Sequence, residues 1–188
     1  MTEHALTDDE KKALLQIARD QIAGFARTGR RPPLPAALPA ALRQRHGAFV
    51  TIHKLGQLRG CIGTFVGEGE LAATVQNMAY AAGWEDPRFD QLTEKELADT
   101  DLEISVLSPL REITDVKEIQ VGRHGIYITR GFYRGVLLPQ VAAEQGWDRD
   151  TFLSHTCLKA GLQADAWKKE KLKIEIFSAE VFGEKDLA

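Results

Sequence analysis

Hydrophobic residues recur at helical spacing in two long stretches of the chain. After Thr7, which forms a capping-box pattern with Glu10, apolar residues follow every three or four positions. This spacing predicts a first helix that ends before Gly29. An alanine-rich stretch at 70–82 has the same periodicity, so it predicts a second helix that ends at Gly83.

Strand patterns occupy most of the remaining apolar segments. Residues 48–54 and 58–65 are rich in strand formers and are separated by a short bend, so they predict a β-hairpin. Apolar and polar residues alternate at 102–106, a second hairpin is predicted at 126–138, and a final strand is predicted at 172–176. Hairpins joined to separate helices predict an α+β fold with a mostly antiparallel sheet and flanking helices.

Shorter signals complete the predicted layout. Thr93 and Glu96 form a second capping-box pattern that predicts a short helix, and a helix that begins after Asp148 is expected to end near Gly161. Residues 30–39 hold four of the seven prolines, so they are expected to be extended. A length of 188 residues fits one domain, 1–188, with a larger α+β lobe and a smaller lobe.

Composition and charge exclude several classes of function. The net charge of -3 comes from 24 basic and 27 acidic residues that are well mixed, which disfavours nucleic-acid binding. No segment approaches the ~18 apolar residues of a membrane span, and the residues 1–5 lack the features of an export signal. We therefore expect a cytoplasmic protein in which the only two cysteines, Cys61 and Cys157, are free thiols.

The segment Leu58–Gly63 holds the residues most suited to chemistry. Glycine within a strand often marks a place where a ligand or another backbone approaches closely, and here Gly60 and Gly63 flank a cysteine. Arg59 and Cys61 are two positions apart on a strand and should share a face, where a cation lowers the pKa of a thiol. The competing interpretation, favoured by the pattern alone, is that Cys61 is a small buried hydrophobic residue.

A base for such a thiol is available at His53 if the hairpin brings the two together. If the bend has an even number of residues, Val50 and Ile52 share the face of Cys61, and His53 lies on the other side. If the bend consists of residues 55–57, Thr51 and His53 share the face of Arg59 and Cys61. The sequence leaves both alternatives open, with His124 and His155 as further candidate bases.

The loop after the second helix admits a structural and a functional interpretation. Pro87 makes the loop rigid, so Asp86 and Arg88 either form a surface contact or direct Arg88 towards an anionic ligand or the Cys61 site. No motif with metal-ligand spacing and no phosphate-binding loop occurs, so neither a metal site nor a cofactor is predicted.

The hexapeptide Leu58–Gly63 resembles the signature of the AMMECR domain family, known in prokaryotes as AmmeMemoRadiSam system protein A. Further matches to the family pattern lie at residues 48–54, 86–89, 102–108, 125–126, 137–140 and 157–162. The resemblance covers residues 7–183, and it implies an α+β domain in two unequal lobes with the hexapeptide as a functional segment. The family name also implies Memo-like and radical SAM proteins as partners.

Two functions are left open at this stage. One is a thiol-dependent enzyme, or a component of a modification system, with Cys61, Arg59 and His53 as candidate catalytic residues. The other is a non-catalytic binding or adaptor module that uses the same segment. The candidate ligand-binding residues are Leu58, Gly60, Ile62, Gly63, Asp86 and Arg88.

Overall fold

The computed structural model describes residues 5–187, which divide into two units with separate hydrophobic cores. Within the described residues, the first unit comprises 5–107 and 180–187, and the second comprises Ser108–Ala179. The prediction that 1–188 forms a single domain is not tested by this division. Residues 1–4, on which the expectation of no export signal rested, and residue 188 lie outside the described residues.

The elements of the first unit follow the predicted order. They are α1 (Asp8–Thr28), β1 (Ala48–Lys54), β2 (Gln57–Thr64), α2 (Leu71–Trp84) and β3 (Thr100–Leu107), with 3-10 helices at Ala40–Arg43 and Glu94–Asp99. The second unit contains β4 (Arg111–Ile113), a 3-10 helix at Val116–Glu118, β5 (His124–Arg130), β6 (Tyr133–Leu137), α3 (Pro139–Gln145), α4 (Arg149–Lys159) and α5 (Ala166–Lys169). Strand β7 (Lys173–Gly183) begins in the second unit and ends in the first.

The sheet of the first unit has the strand order β2-β1-β3, with β1 antiparallel to both neighbours. Helices α1 and α2 pack together and cover one face of these strands. Val50 and Ile52 of β1 and Ile104 of β3 are fully buried on that face. Thr51 and His53 of β1 alternate with them and are only partly buried, so the opposite face of the sheet is polar.

The predicted helix signals are confirmed where a side chain caps the backbone. Thr7 accepts a hydrogen bond from the N–H of Glu10, whose carboxylate binds back to Thr7, and α1 ends at Gly29 with φ 66°. Thr93 and Glu96 form the second capping box, which begins a 3-10 helix. Residues 30–39 contain no helix, as the prolines predicted.

The predicted end of the second helix at Gly83 is wrong. Helix α2 continues to Trp84, and its C-cap is Glu85, whose N–H donates to the carbonyl of Ala81. Glycine ends a helix when it takes up the left-handed conformation, but Gly83 does not have a positive φ. It lies buried against Leu92, where an added Cβ would meet only ordinary van der Waals contact at 3.6 Å.

The second unit contains the antiparallel strand order β4-β7-β5-β6, with α3 and α4 packed on β5 and α4 packed on β6. The predicted hairpin is present, but Pro139 begins α3 rather than only ending the strand, since proline is well suited to the first helical position. Asp148 caps α4 as predicted. The fold class is therefore α+β with an antiparallel sheet and flanking helices, and this prediction is confirmed.

Candidate functional site

The β1–β2 hairpin contains a bulge that decides where Cys61 points. The turn has two residues, Leu55 with φ 50° and Gly56 with φ 79°, and Lys54 pairs with Gln57 across it. The register then shifts between Ile52 and His53, which makes Arg59 an extra residue in β2.

The shift in register places Thr51 opposite Cys61. A two-residue turn without a bulge would instead pair Cys61 with Val50, which lies on the helix-covered face. The bend has two residues, as in the first alternative. Because of the bulge, however, the side chains face the way that the second alternative, a three-residue bend, predicted. His53 and Cys61 consequently share the polar face of the sheet.

The backbone of Cys61 is fixed by the loop that follows α2. Strand β2 lies at the edge of the first unit's strand order, so its outward-facing peptide groups have no neighbouring strand. The N–H of Cys61 donates to Oδ2 of Asp86 at 2.9 Å, and its carbonyl accepts a hydrogen bond from Nη2 of Arg88 at 3.2 Å. One ion pair thus takes the place of a neighbouring strand at Cys61.

Asp86 and Arg88 form a two-point ion pair. Nε of Arg88 donates to Oδ1 at 2.9 Å and Nη2 donates to Oδ2 at 2.7 Å, while the Arg88 N–H also binds Oδ1 at 3.1 Å. Asp86 is only 5% exposed. The hydrogen bonds from the Arg88 side chain, opposed by burial and assisted by those from the backbone of Cys61 and Arg88, hold the pKa of Asp86 far below its usual range. The predicted Asp–Arg contact is present and brings Arg88 to the carbonyl of Cys61, and the functional role predicted for this loop stays a prediction.

Cys61 is a partly exposed residue, and its thiol has one hydroxyl partner among the described residues. Oγ1 of Thr51 lies 3.2 Å from Sγ and is placed to donate to it. Cys157, in contrast, is fully buried on α4, and desolvation raises the pKa of its thiol. The two free thiols of the chain therefore differ in access to solvent and in local chemistry.

His53 lies on the same face as Cys61, but its neighbour is Asp101. Nδ1 of His53 is 3.9 Å from Oδ2 of Asp101, which also accepts a hydrogen bond from Lys185 through Oδ1 at 2.7 Å. No contact between His53 and the Cys61 thiol is present among the described residues. His53 is thus on the same face as the Cys61 thiol and two residues along β1 from its cross-strand neighbour, but it is not hydrogen-bonded to the thiol.

Arg59 binds a carboxylate rather than the thiol. Its Nε and Nη2 donate to Oε1 and Oε2 of Glu96 at 2.9 and 3.2 Å, and Lys54 adds a third hydrogen bond at 3.0 Å. The Arg59 hydrogen bonds are the main cause that holds the pKa of Glu96 far below its usual range. The cation that contacts Cys61 is therefore Arg88, two residues after Asp86, and not Arg59 as the spacing suggested.

Internal packing accounts for both glycines of the hexapeptide. A Cβ on Gly60 would lie 2.1 Å from the carbonyl oxygen of Ala82, so only glycine lets α2 approach β2 this closely. A Cβ on Gly63 would lie 2.2 Å from the ring of Phe49, which pairs with it across the strands. The predicted use of Gly60 and Gly63 in ligand binding stays a prediction.

The other hexapeptide positions differ in exposure. Leu58 is 43% exposed and pairs with His53, whereas Ile62 is half-buried against the core of the first unit. Their predicted role in ligand binding is likewise untested by these positions.

A polar cleft of about 460 Å³ lies beside the loop that follows α2. It is lined by Arg59, Pro87, Arg88, Phe89, Asp90 and Glu96. The cleft is therefore lined both by Glu96, the carboxylate partner of Arg59, and by the loop whose Asp86 and Arg88 bind the Cys61 backbone.

The other candidate bases belong to the second unit. His155 stacks on Trp147 with ring centroids 4.0 Å apart, and His124 accepts a hydrogen bond from the N–H of Gln120 at 3.2 Å. Within residues 5–187, no three His, Cys, Asp or Glu side chains come together in a group that could hold a metal ion. None of the helices in that range combines the length and the apolar character that crossing a membrane requires.

Sequence reasoning missed two polar residues of this site, Glu96 and Asp101, and it placed Thr51 on the face of Cys61 in only one of its two alternatives. Thr51 is opposite Cys61 only in the bulged register of β1 with β2, and Asp101 is opposite His53 through the separate pairing of β1 with β3; no local pattern predicts either register. Glu96 was recognised as a capping residue, and its second role as the partner of Arg59 joins positions 37 residues apart. The alternation of apolar and polar residues in β1 and β3 does indicate that one face of the sheet is polar. It does not indicate which polar residues lie opposite one another on that face.

This fold and this site define an α+β protein whose edge strand presents a partly exposed cysteine held by an Asp–Arg pair. The family model AMMECR1 matches residues 15–182. The chain therefore belongs to the AMMECR1 family, as the hexapeptide predicted.

Archaeal proteins of similar length support this assignment. A protein of Methanothermobacter thermautotrophicus is 41% identical over 186 residues, which cover 95% of this chain and 96% of that protein. A protein of Pyrococcus furiosus is 39% identical over 192 residues, covering 96% and 91%. The crystal structure of an uncharacterised protein of Pyrococcus horikoshii is similar to this chain with a TM-score of 0.85 and 35% identity, covering 96% of this chain and 94% of that one.

Proposed function

We propose that the chain uses the Cys61 thiol as a nucleophile, either as a thiol-dependent enzyme or as the thiol component of a modification system. The observation that carries the proposal is the environment of Cys61: the residue is partly exposed, and the Thr51 hydroxyl lies 3.2 Å from its Sγ. A hydroxyl that donates to sulfur stabilises negative charge on it, and the thiolate is the reactive form of cysteine. Asp86 and Arg88 bind the N–H and the carbonyl of Cys61, so the backbone that carries the thiol is held in place.

The polar face supplies a base for this chemistry. His53 is two residues along β1 from Thr51, the cross-strand neighbour of Cys61, and such diagonal neighbours are about 7–8 Å apart. Both side chains extend from the same face, and a base can take a proton directly or through one water molecule. As sulfur adds to the carbon of a carbonyl or another polarised double bond, the π electron pair of that bond moves to its more electronegative atom. The thiol proton passes to His53, and Asp101 at 3.9 Å stabilises the resulting imidazolium.

The proposed partners follow from the family rather than from the geometry. The chain would act in the cytoplasm together with Memo-like and radical SAM proteins. A thiol on an edge strand suits such a system, because a partner that delivers or receives a group needs open access to sulfur.

Co-expression of the chain with the Memo-like and radical SAM proteins of the same genome tests the proposal. Mass spectrometry of small molecules and proteins should reveal a product that depends on this chain, and Cys61→Ala should abolish it. Cys157→Ala is the matched control and should retain the product, since that thiol is buried in the second unit. Full retention of the product by Cys61→Ala would contradict the proposal.

A binding or adaptor function is the second candidate, and the tip of the β1–β2 hairpin favours it. Leu55 is 75% exposed and Leu58, the first residue of the hexapeptide, is 43% exposed, so two large apolar side chains reach solvent at this tip. Exposed apolar groups that are close together mark surfaces that bind partners. In this candidate function the Cys61 thiol is not consumed.

The same co-expression separates the two candidates by complex formation. Leu55→Asn with Leu58→Ser should abolish co-purification with the Memo-like protein if the tip is the docking surface, and asparagine tolerates the positive φ at position 55. Val66→Ser is the control, because Val66 is 52% exposed in the same unit. A complex that survives the double substitution unchanged would rule out docking through the tip.

A further inference from the structure

The polar face of the first unit's sheet carries a row of three side chains that begins at the proposed nucleophile. Thr51 of β1 pairs with Cys61 of β2 on one side and with Glu103 of β3 on the other. Residues that pair directly across antiparallel strands point to the same face of a sheet. Because neighbouring strands are about 4.8 Å apart, the backbones of Cys61 and Glu103 are separated by roughly 10 Å, a distance that a small molecule can bridge.

The carboxylate of Glu103 has no counter-charge among the described residues. Neither a hydrogen bond nor an ion pair joins its side chain to another residue in the range 5–187. Asp101 is two residues earlier on the same face, and its charge is matched by Lys185, whose Nζ lies 2.7 Å from Oδ1. Glu103 is partly buried, and a carboxylate that has lost part of its hydration favours a cation as its partner.

The cations of the neighbouring strands do not supply that partner. The odd-numbered residues of β1 occupy the polar face, so the side chain of Lys54 points to the opposite face. Arg59 shares the carboxylate of Glu96 with Lys54, so its guanidinium lies on that side as well. Arg88, at the edge of β2, already forms an ion pair with Asp86. The charge on the polar face that is left without a partner is therefore negative.

An aromatic ring bounds the row on one side. Phe49 pairs with Gly63 and is two residues along β1 from Thr51, so it lies on the same polar face. Its ring lies directly over Gly63, since a Cβ added to that glycine would be 2.2 Å from the ring. The ring forms an apolar wall beside the row that joins Cys61 to Glu103. A few polar groups beside an apolar wall are what orient a small ligand.

We propose that the substrate of Cys61 is a small electrophile that also carries a cationic group, such as an ammonium, and that Glu103 binds this group. The inference rests on the thiol function proposed above and adds to it the charge of the substrate. Charge-assisted hydrogen bonds from the cation to the carboxylate hold one end of the substrate. The electrophilic carbon at the other end then lies at Sγ, and Phe49 contacts the apolar part between them.

Two thiol reagents of similar size and opposite charge test the inference. The cationic 2-(trimethylammonium)ethyl methanethiosulfonate and the anionic 2-sulfonatoethyl methanethiosulfonate are added separately to the folded full chain, and peptide mass spectrometry gives each rate at Cys61. The ratio of the cation rate to the anion rate is compared with the same ratio for free N-acetylcysteine. The ratio at Cys61 should be about fivefold higher, since a carboxylate several ångströms away attracts one reagent and repels the other.

Substitutions of Glu103 assign the preference to its charge. Glu103→Gln should bring the ratio to that of the free thiol, whereas Glu103→Asp should keep most of the preference because it keeps the charge. A change in the pKa of the thiol affects both reagents equally, so it cancels in the ratio. Asp20→Asn is the matched control and should leave the ratio unchanged, because it removes an exposed charge from α1, which covers the opposite face of the sheet.

The outcomes separate this inference from the function on which it rests. Labelling of Cys61 without a preference for the cation, or with a preference that survives Glu103→Gln, would overturn the inference and leave the thiol function standing. Failure of both reagents to label Cys61 in the folded protein would contradict the thiol function and the inference together.

Discussion

Replacing Gly60 with alanine is expected to lower the free energy of unfolding by about 3 kcal/mol, the upper part of the usual range for overpacking a core. The added Cβ would lie 2.1 Å from the carbonyl oxygen of Ala82, and this oxygen belongs to helical backbone that cannot rotate away. Helix α2 would have to move off β2. Urea unfolding followed by circular dichroism measures the change.

Gly69→Ala is the matched control for this substitution. A Cβ added to Gly69 would meet no atom of the described residues within 4 Å, and Gly69 has no positive φ. Its substitution should therefore leave stability within about 0.5 kcal/mol of the wild type. Equal effects of the two substitutions would mean that α2 does not approach β2 closely at Gly60.

Substitution of Asp86 by asparagine is expected to destabilise the protein by about 2 kcal/mol at pH 7, because it replaces a buried acceptor oxygen with an NH2 group that cannot accept the hydrogen bonds of Arg88 and Cys61. Asp86 is only 5% exposed and accepts hydrogen bonds from the Arg88 guanidinium and from the Cys61 N–H. Asp90→Asn, an exposed carboxylate four residues along, should be close to the wild type.

The effect of Asp86 should depend on pH with a definite sign. Its pKa in the folded state is below the value of about 3.9 in the unfolded chain, mainly because of the Arg88 hydrogen bonds. A carboxyl group of this kind stabilises the fold fully above the unfolded pKa, and the contribution is lost as pH falls towards the folded pKa. The difference in stability between wild type and Asp86→Asn should be constant near neutral pH and shrink below about pH 4. A difference that grows on acidification would contradict the ion pair.

Local signals in the sequence were sufficient for most elements of the fold. The bounds of α1 follow from Thr7, Glu10 and Gly29, because these residues satisfy the backbone groups of their own helix termini. Gly83 misled for the opposite reason: its conformation is set by packing on Leu92, which lies outside the helix. Local signals predict an element when the interaction that ends it is also local.

The site could be predicted only in part, because its geometry depends on distant pairs. The spacing identified Cys61, Asp86 and Arg88 as candidates, but the bulge at Arg59 decides which residues face the thiol. The contacts that accompany the bulge join Cys61 to Asp86 and Arg59 to Glu96, which are 25 and 37 residues apart. Places where local rules fail are often functional, because function requires conformations that the local sequence does not favour.

The rate of iodoacetamide labelling in the folded protein, resolved for Cys61 and Cys157 by peptide mass spectrometry, tests the central claim most directly. The account predicts rapid labelling of Cys61 at neutral pH and a slower rate in Thr51→Val, which removes the hydroxyl beside Sγ. Cys157, buried and with its thiol pKa raised by desolvation, should react only after denaturation. Labelling of Cys61 that also requires denaturation would contradict the claim that this chain presents a reactive thiol.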